Sequence, residues 1–218
     1  MNADAGPLSL LQRIAAARPA TPDYERCEMC GERIGDEHGH VVSLASRSLM
    51  CTCRPCTLLF AYDSAQLHYR AVPDRYLNFP DVELSAALWD DLQIPVGLVF
   101  LFRNSALDRM VAFYPGPAGA TESELPLGAW DAVAAAHPSL GVARPDVEAL
   151  LLRAPEGDRS GVECFLVPID RCYELIGRLR QGWRGFDGGQ EARAQLEDFF
   201  ADLAHRSRPA DPSLSGPD

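Results

Sequence analysis

Two Cys-x-x-Cys pairs constrain this chain more than anything else in it. They are Cys27-Glu28-Met29-Cys30 and Cys53-Arg54-Pro55-Cys56, separated by residues 31–52. Each pair can bend so that both sulfurs reach one ion at about 2.3 Å, and zinc accepts four such thiolates as a tetrahedron. Gly31 follows the first pair, where the tight turn of a metal knuckle calls for positive φ. Five of the 7 cysteines lie between Cys27 and Cys56, and in a reducing compartment such a cluster points to metal before disulfides.

The residues around the pairs have a readable shape. HVVSLASRSLMCTC reads as two short strands around a polar turn at Ala45 to Ser48, and TLLFAYD begins like a helix with Cys56 in or before its first turn. Knuckle, hairpin and a second pair at a helix start are the outline of a treble-clef-like zinc finger. The ligands expected are Cys27, Cys30, Cys53 and Cys56. Cys51 could replace Cys53, although only Cys53 has Cys-x-x-Cys spacing to Cys56, and His38 or His40 could ligate if a thiolate were displaced. Zinc is the expected ion and iron the alternative. A rubredoxin knuckle has glycine after both pairs, whereas Thr57 follows Cys56 here, even though Pro55 lies inside the pair.

Charge narrows the function. The 218 residues include 31 acidic and 20 basic residues, for a net charge of −11, and every basic residue is arginine. Non-specific nucleic-acid binding works by neutralising phosphates, so this balance excludes it and opposes a nuclease of the His-Cys finger type. An anionic membrane surface is disfavoured for the same reason. The longest apolar run, Ile94 to Phe102, is strand-sized and not spanning length. Asn2, Ala3 and Asp4 do not read as a secretory leader. A soluble, cytoplasmic protein is the expectation.

Periodicity sets the organisation. Residues 1–22 read as an N-terminal helix (8–18) and linker, 23–72 as the finger, 80–206 as a second domain and 207–218 as a disordered tail, with a linker containing Pro73 and Pro80. In the second domain a helix capped by Asp81 runs to about Leu92. Residues 95–104 and 108–115 form a hairpin, and 116–124 a loop. Leu127, Trp130, Val133, Ala134 and His137 share a helical face that Pro138 closes. Strands follow at 147–154 and 162–169, turning at Glu156, Gly157 and Asp158. Asp170 caps a helix whose apolar set is Cys172, Leu175, Ile176, Leu179 and Trp183, and a last helix carries Ala192, Leu196, Phe199, Phe200 and Leu203. The fold class is α+β, a small antiparallel sheet with flanking helices.

Outside the cysteine cluster the residues read as structural. Cys164 sits mid-strand and Cys172 on an apolar helix face, so both read as core, and His137 as a helix-end residue. GFDGG after Trp183 and Arg184 is an inter-helix turn or a partner-binding loop. It follows a helix and offers no lysine, so it is not a phosphate loop. Arg171, Arg178, Arg180 and Arg184 form a basic strip, a docking patch or a solvated helix face. Thr121 to Glu124 and the pair Asp90 and Asp91 read as solvated surface. No catalytic residue is assigned.

The segments CEMCGERI, HGHVV, LMCTCRPCTLLF, VPDRY, IPVGLVFLF, FYPGPAGATESEL, PDVEALL and FLVPIDRCYELIGRLRQGWRGFDGG carry a resemblance across Cys27 to Phe200. The chain resembles an uncharacterised family encoded beside nickel–iron hydrogenase genes in high-GC bacteria. The resemblance implies an accessory role in hydrogenase maturation or assembly with a hydrogenase component as protein partner; iron in the paired-cysteine site would instead make the chain a rubredoxin-like redox module serving a hydrogenase.

Overall fold

The computed structural model describes residues 24–61, 68–82, 89, 97–116, 119–123, 127–154, 161–182 and 189–211. The expected helix at 8–18 lies outside them, as do the Glu156–Asp158 turn, the Trp183–Gly188 segment, and most of the helix begun at Asp81. Trp89 is helical and buried.

The first unit is a three-stranded sheet and a short helix. β1 (Gly39–Ser43) pairs antiparallel with β2 (Ser48–Thr52) around the expected polar turn, and α1 (Arg54–Leu59) follows at once. A strand the sequence did not announce, β3 (Tyr69–Ala71), adds to the other edge of β1.

The second sheet has seven strands in the order β10-β4-β9-β8-β5-β6-β7. Its centre is the pair of hairpins expected from the apolar runs: β5 (Leu98–Asn104) with β6 (Arg109–Gly116), and β8 (Glu148–Arg153) with β9 (Glu163–Pro168). These strands are apolar at nearly every position, because both faces of the sheet are covered. On one face Val99, Leu101, Leu150, Leu152, Cys164 and Leu166 pack with Trp130 and Val133 of α2 (Leu127–Ala136), with Leu140 and Val142 of the 3₁₀ turn after it, and with Trp89. On the other, Phe100, Ala149, Leu151, Phe165 and Val167 meet Cys172, Leu175 and Leu179 of α3 (Ile169–Gly182) and Phe199, Phe200 and Leu203 of α4 (Gly189–Arg206). These are the helical faces expected from periodicity.

Three expectations are corrected. Residues 116–124 are not simply a loop, because β7 (Gly119–Ser123) pairs along β6. The linker between the units contains β4 (Leu77–Asn78), which joins β9. The tail is not disordered from 207: β10 (Arg208–Pro209) runs parallel to β4, and the Ala210 amide donates to the Asn78 carbonyl at 2.8 Å. The sheet is therefore larger than expected and has one parallel pair.

The first unit also shares the core of the second. Val42 lies in the cluster under α3 and α4, with Leu44, Leu49, Val72 and Tyr76 against it. Two polar ties cross the same seam. Arg70 donates to the Asp146 carboxylate at 2.7 Å and to the Pro145 carbonyl at 3.1 Å, while His40 Nδ1 sits 2.8 Å from Asp170 Oδ2. The connecting segment is pinned by Arg75, whose guanidinium donates from Nε and Nη2 to Glu148 at 2.7 and 2.5 Å and to the Val142 carbonyl at 2.7 Å. Glu148 is 0% exposed, and such a carboxylate persists inside a protein only when its charge and lone pairs are matched.

Candidate metal centre

The first pair sits in a tight turn. The Cys27 amide donates to the Glu32 carbonyl at 2.8 Å and the Gly31 amide to the Cys27 carbonyl at 2.8 Å, so the chain reverses within the pair. Gly31 has φ +77°, the left-handed conformation expected of it. Arg26 and Arg33 bridge across the turn, and both guanidiniums lie over the Tyr24 ring.

The second pair is set by the end of the hairpin. Cys53 is extended and precedes α1, Pro55 occupies the first turn where its missing N–H costs nothing, and the Thr57 amide donates to the Cys53 carbonyl at 3.0 Å. Threonine hydroxyls lock helix to hairpin: Thr52 donates to the Gly39 carbonyl at 3.0 Å, and the Thr52 and Thr57 hydroxyls lie 2.9 Å apart. Only glycine fits at 39, since a Cβ there would stand 2.2 Å from Thr57 Oγ1. Glu28 ties the two halves together. Its amide donates to the Cys51 carbonyl at 2.9 Å, and its carboxylate accepts the Cys51 amide at 2.6 Å.

This scaffold brings together the Cys27, Cys30, Cys53 and Cys56 sulfurs, all within 4.8 Å of one another, with Cys30 and Cys53 at 3.6 Å. A tetrahedron with arms of about 2.3 Å has edges of about 3.8 Å, so the set fits a metal ion. Cys27 and Cys56 are buried beside Ile34, while Cys30 is exposed. Burial opposes ionisation of Cys27, but hydrogen bonds from the Cys53, Cys30 and Met29 backbone outweigh it and bring the thiol down to about 6. Cys56 is pushed the other way, to about 12, chiefly by its contact with the Cys53 thiol and then by burial. The four thiols thus stand close enough that the ionisation of each depends on its neighbours. A cation in their midst would favour their ionised forms, because coordination stabilises thiolate.

The alternative ligands do not enter this foursome. His38, His40 and Cys51 gather separately, with their own ligand atoms within 4.8 Å of one another. Cys164 and Cys172 are buried on opposite faces of the large sheet, and burial raises both thiols, Cys164 to about 12. His137 joins α2 to the 3₁₀ turn, donating its amide to the Val133 carbonyl and accepting from Leu140. Two arginines of the basic strip are paired, Arg171 with Glu174 and with Asp202 and Arg178 with Glu174, while Arg180 is exposed. Glu122 pairs with Arg109 at 3.0 Å on the sheet edge. Arg184, GFDGG, Asp90 and Asp91 fall outside the described residues. Sequence reasoning missed Glu28, Gly39 and Thr57, whose roles follow from the hairpin register.

Among the described residues no helix is long and apolar enough to cross a membrane. A model of a family of unknown function, DUF5947, matches residues 26–207. No curated protein matches the chain, and neither does any solved structure.

Proposed function

The chain belongs to this family of unknown function, and from its own residues we propose that it is a non-enzymatic, metal-binding accessory protein. A treble-clef-like finger, held by structural zinc on Cys27, Cys30, Cys53 and Cys56, is carried on an α+β domain and binds a protein partner. The observation that carries this reading is the closed set of four thiols. A metal with four protein ligands has no open position for substrate, which is the character of a structural site. The knuckle, hairpin and helix-borne second pair support the treble-clef description.

The partner reading is supported by Leu58 and Leu59. They stand 54% and 65% exposed on α1, next to Cys56, and adjacent exposed leucines on a metal-held helix suit an interface more than a solvated face. The resemblance noted from the sequence supplies the candidate, a component of nickel–iron hydrogenase assembly in the cytoplasm.

Metal analysis of the full chain purified without oxygen tests the site. Zinc should occupy it, Cys30→Ser should lose that zinc, and a strong chelator should unfold the finger. A visible charge-transfer spectrum that bleaches on reduction would replace zinc with iron and favour a rubredoxin-like electron carrier. Co-purification of a hydrogenase component from the native host, abolished by Leu58→Asp with Leu59→Asp, is the expected partner result. An association unchanged by those substitutions would remove the α1 interface.

A further inference from the structure

His38, His40 and Cys51 are brought together by the hairpin. His40 lies directly across from Cys51 in the β1–β2 register, so their side chains leave the same face. His38 precedes His40 by two residues and shares that face through the alternation of an extended chain. The imidazole rings are 4.8 Å apart, centre to centre.

The hydrogen bonds around the rings fix which nitrogen is available. His38 Nδ1 is 2.8 Å from the Gly35 carbonyl oxygen, and His40 Nδ1 is 2.8 Å from Asp170 Oδ2. A carbonyl or a carboxylate oxygen only accepts, so each Nδ1 donates its hydrogen, and in the neutral imidazole each Nε2 presents a lone pair. That is the arrangement of metal-bound histidine, whose far nitrogen is held by an oxygen acceptor. His38 adds an independent sign. Its side chain is only 10% exposed, and its buried Nε2 has no hydrogen-bond partner. The nearest carboxylate oxygen, Glu25 Oε2, is 3.7 Å away on a mostly exposed side chain. A buried acceptor left bare in this way calls for an occupant.

We propose that His38, His40 and Cys51 form a second metal site, separate from the four-cysteine centre, for a borderline divalent transition-metal ion such as zinc. Two imidazole nitrogens and one thiolate are the donor mixture such ions take. Each of the three residues offers a ligand atom within 4.8 Å of the others, and bond lengths of about 2.0–2.3 Å would draw such atoms to about 3.3–3.6 Å apart. Three protein ligands leave a fourth position open. This centre is therefore able to exchange a ligand, unlike the closed one. Through His40 and Asp170 its occupancy also reaches the first turn of α3, across the seam between the two units.

Counting zinc on the full chain tests this, by native mass spectrometry and competition with a chromophoric chelator under reducing conditions. The wild-type chain should take two equivalents. His38→Ala, His40→Ala and Cys51→Ser should each take one, with near-ultraviolet circular dichroism unchanged; Cys51→Ser removes a single ligand atom and keeps the test independent of any histidine variant folding. With cobalt in place of zinc, Cys51→Ser should barely weaken the thiolate-to-metal band, while Cys30→Ser should remove most of it. A single equivalent lost in Cys30→Ser but kept in Cys51→Ser would overturn the second site and leave the first standing. A single equivalent lost in Cys51→Ser and kept in Cys30→Ser would do the reverse. Two equivalents retained in the histidine variants would also overturn the proposal.

Discussion

Replacing Arg75 with alanine should destabilise the large domain without touching either cluster of candidate metal ligands. Glu148 accepts three N–H groups, from Arg75 Nε and Nη2 and from the Arg144 amide at 2.8 Å. Arg75→Ala removes two of them and, among the described residues, the one cation paired with a carboxylate that is 0% exposed. Breaking a buried pair from one side costs about 3–5 kcal/mol, because the partner charge stays behind. The Arg75 side chain is 25% exposed, so water reaches part of the vacated space and the lower end, about 3 kcal/mol, is expected. For a chain of this size that lowers the melting temperature by roughly 6–12 °C. Urea unfolding with zinc in excess is the appropriate assay: the midpoint should fall at unchanged slope, which separates a weaker native state from a different unfolded one. Arg75→Met combined with Glu148→Leu should recover most of the loss, since an apolar replacement of both partners leaves no orphaned charge. A loss below about 1 kcal/mol for Arg75→Ala, the worth of a surface pair, would refute the claim that Glu148 is sealed from solvent.

Gly39→Ala should weaken zinc binding by the four cysteines, because its Cβ would meet Thr57 Oγ1 at 2.2 Å and push the helix start away from the hairpin; adding Thr57→Ala should restore part of the affinity in a competition titration, and an unperturbed single variant would show that helix and hairpin are not locked. Cys164 should resist iodoacetamide at pH 8 in the folded chain and react on unfolding. Burial holds its thiol near 12 against an ordinary 9.0, so only about one molecule in ten thousand carries the thiolate. The same shift predicts that stability falls as pH rises above about 9, where the unfolded thiol ionises and the folded one does not. Labelling of Cys164 in the folded protein at a rate near that of a free thiol would contradict the burial.

What the sequence revealed was local. The four-cysteine set follows from spacing alone, and the central strands announce themselves as apolar runs because residues such as Leu150, Leu151 and Leu152 are needed on both faces of the sheet. The helices carry a periodic stripe for the same reason of burial. The edges were illegible. β7 is the polar stretch Gly119–Ser123, held to β6 by backbone bonds that leave no pattern in the side chains. β4 and β10 are two residues each, too short to leave a pattern, and are fixed by pairing with distant strands, β4 on β9 and β10 on β4. His38, His40 and Cys51 read as substitutes for the main ligands until the register put His40 opposite Cys51, and Glu28 reads as surface until its carboxylate is seen on the Cys51 amide. Pairings between distant residues, such as Arg70 with Asp146, have no local sequence signature at all.

The parallel pair of β10 and β4 carries a consequence for biosynthesis. β4 lies just after the three-stranded first unit, yet its outer neighbour is among the last described residues of the chain. During synthesis the four-cysteine cluster can assemble early, since its cysteines all precede residue 57 and chains fold from the N-terminal end as they emerge. The segment beyond it must wait with one strand edge bare until Arg208 and Pro209 arrive. An exposed edge is where another chain can add itself. The nascent protein is thus most vulnerable after its four-cysteine cluster has formed and before Arg208 and Pro209 are made, so truncation shortly before Arg208 should yield a self-associating product.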